Sequence, residues 1–191
     1  MRLELRRPAV LLLLAVPIML VACAGPESAP EPPTGDEAPA APEAAAEPTP
    51  EERIAGLEQM CAGAHNAILA RQAETPLYDR LGGSEAIRAV FEDVVQRHLD
   101  NEQIKDIMVG VDTANLVDKV TEFMSEATGG DVEYTGADMV TTHAHMSLTN
   151  ADFLAAGGDV EAAMVAAGVG PDEIQEVMCM FVSLHNEVVM P

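Results

Sequence analysis

An all-α domain is the class this sequence predicts, and three observations carry it. After residue 49, apolar residues recur three and four apart through every long segment, and no run alternates with the period of two that marks a half-buried strand. Helix starts and stops stand between those segments. Thr49, Asp112 and Thr149 have the chemistry of starts; Gly82-Gly83 and Gly129-Gly130 have that of stops. The stretch before residue 49 holds no large apolar side chains after residue 23, so the core must come from the helices that follow.

The chain has 191 residues, enough for one ordinary domain with extensions. Acidic residues outnumber basic ones 32 to 10, which argues against a nucleic-acid partner, whose phosphates demand a basic surface. There is no Trp and there are 11 Met, so the core must be aliphatic. Soft thioethers suit an irregular interior or a bulky apolar cofactor, and plain packing accounts for most of them.

Residues 1–22 read as a secretory signal: Arg2, Arg6 and Arg7, then an apolar run too short to span a bilayer, then small residues. Leu20-Val-Ala-Cys23 closely resembles the bacterial lipobox, in which the Cys is acylated and becomes the first residue. That resemblance implies an extracytoplasmic lipoprotein held on a membrane through Cys23. With Ala24 next in line, the outer membrane is the favoured destination. Residues 23–48 are Pro, Ala, Glu, Gly and Ser in the main, an extended tether that cannot repay the entropy of ordering.

A leading helix is expected over 49–74. Thr49 caps it, Pro50 fits the first turn, and Glu52 completes a capping box. Ile54, Leu57, Cys61, Ala64 and Ile68 recur on one face. Cys61 and His65 share that face, but two ligands do not make a metal site. Once Cys23 is set apart, Cys61 and Cys179 are a candidate disulfide in an oxidising compartment, and two buried free thiols fit the sequence equally well.

The globular part, 75–191, continues in the same helical period. A short turn at Leu77-Tyr-Asp-Arg-Leu ends on Gly82-Gly83, and Ser84 is expected to cap the next helix, with Ile87, Phe91, Val94 and His98 on its stripe. Asp112 caps a helix whose buried line reads Leu116, Val120, Phe123 or Met124, and Ala127. A short helix ends near His143. Thr149 opens another, weakened by Gly157-Gly158, and Pro171 opens the last, with Ile174, Val177, Phe181 and His185 inward.

Several motifs resemble the group I truncated haemoglobins in order and spacing. They are Leu-Tyr-Asp-Arg-Leu-Gly-Gly at 77–83, Gly129-Gly130, Tyr-Thr-Gly at 134–136, Met139, His143, and Thr149 through Phe153. The resemblance implies a two-over-two helical sandwich around haem b, preceded here by an extra helix and a tether. It places His143 as the proximal iron ligand, a standard role for neutral imidazole. Met139 and Met146 fall beside it. His145, roughly 200° around the helix, is not expected to share the role.

On the opposite side this sequence departs from the family pattern. The position where many members carry a hydrogen-bonding Tyr is Val95, and the next helix offers Leu116 and Val120. The haem-wedging phenylalanine is replaced by Met108, with Phe91 and Phe123 as apolar neighbours and Met108 open as a sixth ligand. The resemblance therefore implies weak binding of a diatomic gas: oxygen, nitric oxide or carbon monoxide. A haem enzyme, a nitric-oxide dioxygenase or peroxidase served by an unknown reductase, is the first alternative; a haem-free interaction lipoprotein is the second.

Cys23→Ser is expected to release the protein from membranes or to leave its precursor uncut. Membrane fractionation and the size of the mature band read this out, and unchanged partitioning at mature size refutes the anchor.

Overall fold

A computed structural model describes residues 47–190; the expected signal, Cys23 and nearly all of the tether lie outside the described residues. Eight helices make up the described part. Helix α1 (Pro50–Glu74) starts as expected: the Thr49 hydroxyl accepts from the Glu52 amide at 3.2 Å, and the Glu52 carboxylate accepts from the Thr49 amide at 2.8 Å. It ends at Thr75 because a residue before proline is pushed out of helical geometry. Ile54 is buried, while Leu57, Cys61, Ala64 and Ile68 are half-buried on the same face and His65 is exposed.

Helix α2 (Leu77–Leu81) is one turn, and its Tyr78 amide donates to the Thr128 carbonyl at 2.9 Å. Gly82 and Gly83 follow with φ of 92° and 79°, a left-handed geometry only glycine adopts readily, so α3 (Gly83–Asp100) sets off in a new direction. Ser84 does not cap α3, contrary to expectation. Its hydroxyl instead joins a chain from Tyr78 Oη to Ser125 Oγ, both at 3.0 Å.

Asp112 caps α4 (Thr113–Ala127) as expected, through the Asn115 amide at 3.1 Å. The buried line of α4 differs from the one expected. Val117, Thr121, Met124 and Ser125 are buried; Leu116, Val120 and Phe123 are half-buried, and Ala127 is exposed. Val120 and Phe123 still pack against the edge of the main core, so the line expected from sequence borders the buried one.

Helix α5 (Met139–His143) has five residues. Helix α6 (Asn150–Ala166) opens on a second capping box, between Thr149 and Asp152. Gly157 does not break it. A Cβ there would stand 3.4 Å from the Met178 methyl, so the missing side chain lets α6 approach its neighbour closely. The last helix expected from sequence is two: α7 (Pro171–Ser183) and α8 (His185–Val188), with Leu184 between them.

Helix α3 packs on α4 and α6, α6 on α7, and α5 on α8; α1 lies across α6 and α7. This is the two-over-two arrangement, with α1 added outside it. The main core joins Leu77, Ile87, Phe91, Val94, Met124, Val160, Met164 and Val177. Each such side chain contributes about 1.5–3 kcal/mol by leaving water. No described helix is long and apolar enough to cross a membrane.

Two devices hold α1 down. Cys61 and Cys179 form a disulfide with Cα atoms 5.4 Å apart. The Glu176 carboxylate, wholly buried, accepts from Arg71 and from Arg80, both at 2.6 Å, binding α1, α2 and α7 together. Burial raises the Glu176 pKa, but the hydrogen bonds from the two arginines outweigh it and hold the carboxyl below its ordinary range. Replacing Cys61 and Cys179 together with Ser is expected to cost about 4–5 kcal/mol, the chain-entropy value for so long a loop. Urea unfolding with and without reductant measures it, and equal midpoints would show that the bond does not form.

Candidate functional site

The site is built on a helix too short to stand alone. Asp138 starts α5, accepting from the Thr141 amide and hydroxyl, both at 2.8 Å; these bonds hold its carboxyl below the ordinary range. One turn later, His143 Nδ1 lies 2.8 Å from the Met139 carbonyl oxygen. A carbonyl only accepts, so Nδ1 carries the proton and Nε2 keeps its lone pair. The ring is half-buried, fixed in direction, and presents one free donor nitrogen, the arrangement a metal-ligating histidine needs. His145 is exposed and has no comparable anchor among the described residues.

The second component is a half-buried stripe of α4, of which Val120 and Phe123 pack against the main core. Leu116, Val120 and Phe123 fall at i, i+4 and i+7 and remain half-buried, although α4 has a buried face of its own. Helices α4 and α5 are not a closely packed pair. Met108, Met139 and Met146 are also half-buried.

The loop joining α4 to α5 is clasped from both sides. Tyr134 meets Phe123 edge to face, centroids 5.4 Å apart, and its hydroxyl donates to the Ala137 carbonyl at 2.8 Å. The ring lies where a Cβ on residue 136 would be, so Gly136 is a steric requirement. Glu122 accepts from Lys119 at 2.9 Å and from the Thr135 amide and hydroxyl at 3.1 and 2.8 Å. The Lys119 and Thr135 hydrogen bonds lower its carboxyl pKa to about 2.

The family profile described as bacterial-like globin matches residues 76–190. The chain belongs to that family. This globin is 34% identical over 119 residues to the group 1 truncated hemoglobin GlbN of Mycolicibacterium paratuberculosis, covering 62% of this chain and 88% of that one. Among solved structures it is similar to the 2/2 hemoglobin of Synechococcus sp. PCC 7002, in the cyanomet state and with covalently attached heme. The TM-score is 0.57 at 26% identity, over 60% of this chain and 98% of that one. It shares its fold with the truncated hemoglobin of Tetrahymena pyriformis in the Fe(III) form, with TM-score 0.56 and 24% identity, covering 61% and 98%. Helix α1 lies outside the matched region.

Within this globin, Val95 is buried on α3 yet stands apart from the main core cluster, whereas Phe91 belongs to it. Phe91 also lines an apolar cavity of about 20 Å³ with Leu81, Ile87 and Val90. A larger hollow of about 340 Å³, bordered by Ser84, Arg88, Asp118, Lys119 and Glu122, contains none of the cofactor-site residues expected from sequence and carries both signs of charge. His98, on the stripe of α3, donates from Nδ1 to Asp159 at 2.8 Å.

Sequence reasoning passed over one residue here. His185 is buried and hydrogen-bonded through Nε2 to Asn150, while its Nδ1 is buried without a partner. Its place on an apolar stripe was legible; the orphaned nitrogen was not, because partners 35 residues away are set by tertiary packing.

Gly136→Ala is expected to push Tyr134 off Phe123 and to cost about 1–3 kcal/mol, the usual range for overpacking. The near-ultraviolet circular dichroism of the two tyrosines and the melting temperature report it. The Glu122 clasp has a depressed folded pKa, so its contribution is complete above the ordinary 4.5 and is lost as pH falls through about 2. A tyrosine signal already lost at pH 5 would refute the clasp.

Proposed function

We propose that this globin holds haem b through His143 and takes up a diatomic gas on the side away from it. The observation that carries the reading is the Met139–His143 hydrogen bond, which fixes the imidazole tautomer so that Nε2 is free for iron. The half-buried stripe Leu116, Val120 and Phe123, with Met108, Met139 and Met146, supplies apolar surface for a porphyrin face. When bound, haem supplies a ferrous iron with one open position. The protein's own residues orient that iron, exclude water from it and limit what else approaches.

The same residues favour carriage or sensing of a gas over catalysis. Val95, Leu116 and Val120 offer no hydrogen bond, and turnover of peroxide or nitric oxide requires a polar group near the ligand or a reductase. The anchor belongs to this proposal too: Cys23 acylated, residues 23–48 as spacer, and the globin displayed outside the cytoplasm on a bacterial membrane.

The first test is the visible spectrum of the purified protein, which is expected to show a Soret band. His143→Ala is expected to weaken haem retention and alter that band, whereas His145→Ala leaves both unchanged; an unaltered spectrum in His143→Ala overturns the ligand assignment. Val95→Tyr adds a donor. Hydrogen bonds to charged or polarised acceptors are worth about 1.5–3 kcal/mol. Oxygen release in that variant is therefore expected to slow about tenfold or more, at 1.4 kcal/mol per decade. A wild type that already releases oxygen as slowly as Val95→Tyr would show that the distal side has a donor after all.

A further inference from the structure

Helix α1 is foreign to the globin match, yet its first turn connects to the helix beneath His143. The Glu51 carboxylate accepts from Asn150 Nδ2 at 3.2 Å, and Asn150 Oδ1 faces His185 Nε2 at 2.7 Å. The chemistry of the three groups leaves one assignment. A carboxylate only accepts, so the amide nitrogen of Asn150 points to Glu51 and its oxygen to His185. That oxygen only accepts, so Nε2 of His185 carries the proton. The lone pair then sits on Nδ1, which is buried with no partner. The ring is thus held by hydrogen bonding from one end alone, with Phe153 edge-on to it at 4.9 Å.

His185 is the first residue of α8, which has four residues, and α8 is what α5 packs on. Neither helix reaches the roughly 12–15 residues at which an isolated helix becomes even marginal, so each keeps its place only through contacts. We infer that Glu51, Asn150 and His185 form a relay in which His185 is a positioning residue for α5, so that the added helix α1 sets how His143 is presented to the iron. The inference rests on the haem reading proposed above. The carboxyl of Glu51 is held below its ordinary range by its own backbone amide first and by Asn150 second, which keeps it an acceptor at neutral pH.

The test uses the full chain with haem bound and three variants. Glu51 is exposed and buries nothing, so Glu51→Ala is safe for the fold. Asn150→Ala removes the only hydrogen-bond partner of the His185 ring among the described residues. Asn150→Asp keeps an acceptor for Nε2. Nitrogen-15 shifts of the His185 ring read its tautomer; the iron–histidine stretching band of the ferrous protein reads the presentation of His143; haem transfer to an acceptor apoglobin reads retention. Wild type is expected to show the proton on Nε2. Asn150→Ala is expected to move the iron–histidine band and to speed haem loss about threefold or more; Glu51→Ala is expected to do so less, and Asn150→Asp, which keeps the acceptor for Nε2 but loses the donor to Glu51, to do so no more than Glu51→Ala. A proton on Nδ1 in wild type overturns the relay. So does an unmoved band in Asn150→Ala. Loss of melting temperature with an unmoved band reduces His185 to a structural role and also overturns the inference. If wild type shows no Soret band, the haem reading itself fails, and the ring shifts still decide whether the relay exists.

Discussion

The helix that carries His143 cannot hold itself in place. Five residues make barely more than one turn, and the cost of nucleating a helix is not recovered over so short a length. What holds α5 in place is therefore external to it: the Asp138 cap, the Tyr134 and Glu122 clasps on the preceding loop, and α8, on which it packs. The internal bond from Nδ1 to the Met139 carbonyl then aims the ring. A site assembled this way is sensitive to residues far along the chain. Gly136, which touches no ligand, matters because Tyr134 occupies the space its side chain would need.

Helix α4 shows how one element serves two ends. Its face toward α3 closes on Met124, one of the most deeply buried side chains, and on Ser125, which is tied to Ser84. Leu116, Val120 and Phe123, on the adjoining side, are half-buried, and Val120 and Phe123 pack against the same core. Apolar area left in water has a cost, and a chain carrying only four Phe has few large side chains to spare for such a face. Val95, Leu116 and Val120 carry no hydrogen-bond donor in their side chains.

Helix α1 extends the globin without altering its layers. It is fastened covalently at Cys61 and electrostatically at Arg71, whose partner Glu176 is shared with Arg80 of α2. A fully buried carboxylate is tolerated because two guanidinium groups and an amide satisfy it. The fastening is stronger than the apolar face of α1 alone would provide, since only Ile54 on that helix is buried.

The sequence by itself determined the class and most of the boundaries. Caps at Thr49, Asp112 and Thr149 and stops at Gly82 and Gly129 are local chemistry, satisfied within three or four residues, and they appear where the sequence places them. The motifs around Tyr134 and His143 were likewise readable, because their spacing is fixed by a tight loop whose glycine is sterically required. Tertiary structure decided what depends on a second surface. Leu116 and Val120 satisfy helical periodicity as well as Val117 does, and only tertiary packing decides that Val117 is buried while the other two are half-buried. Ser84 has the right chemistry for a cap, but Tyr78 and Ser125 claim its hydroxyl. Cys61 and Cys179, 118 residues apart, could be counted as a pair from sequence, but their bond is a fact of how α1 lies on α7. The orphaned nitrogen of His185 belongs to the same class: periodicity can bury a ring, but only the fold decides which of its two nitrogens finds a partner.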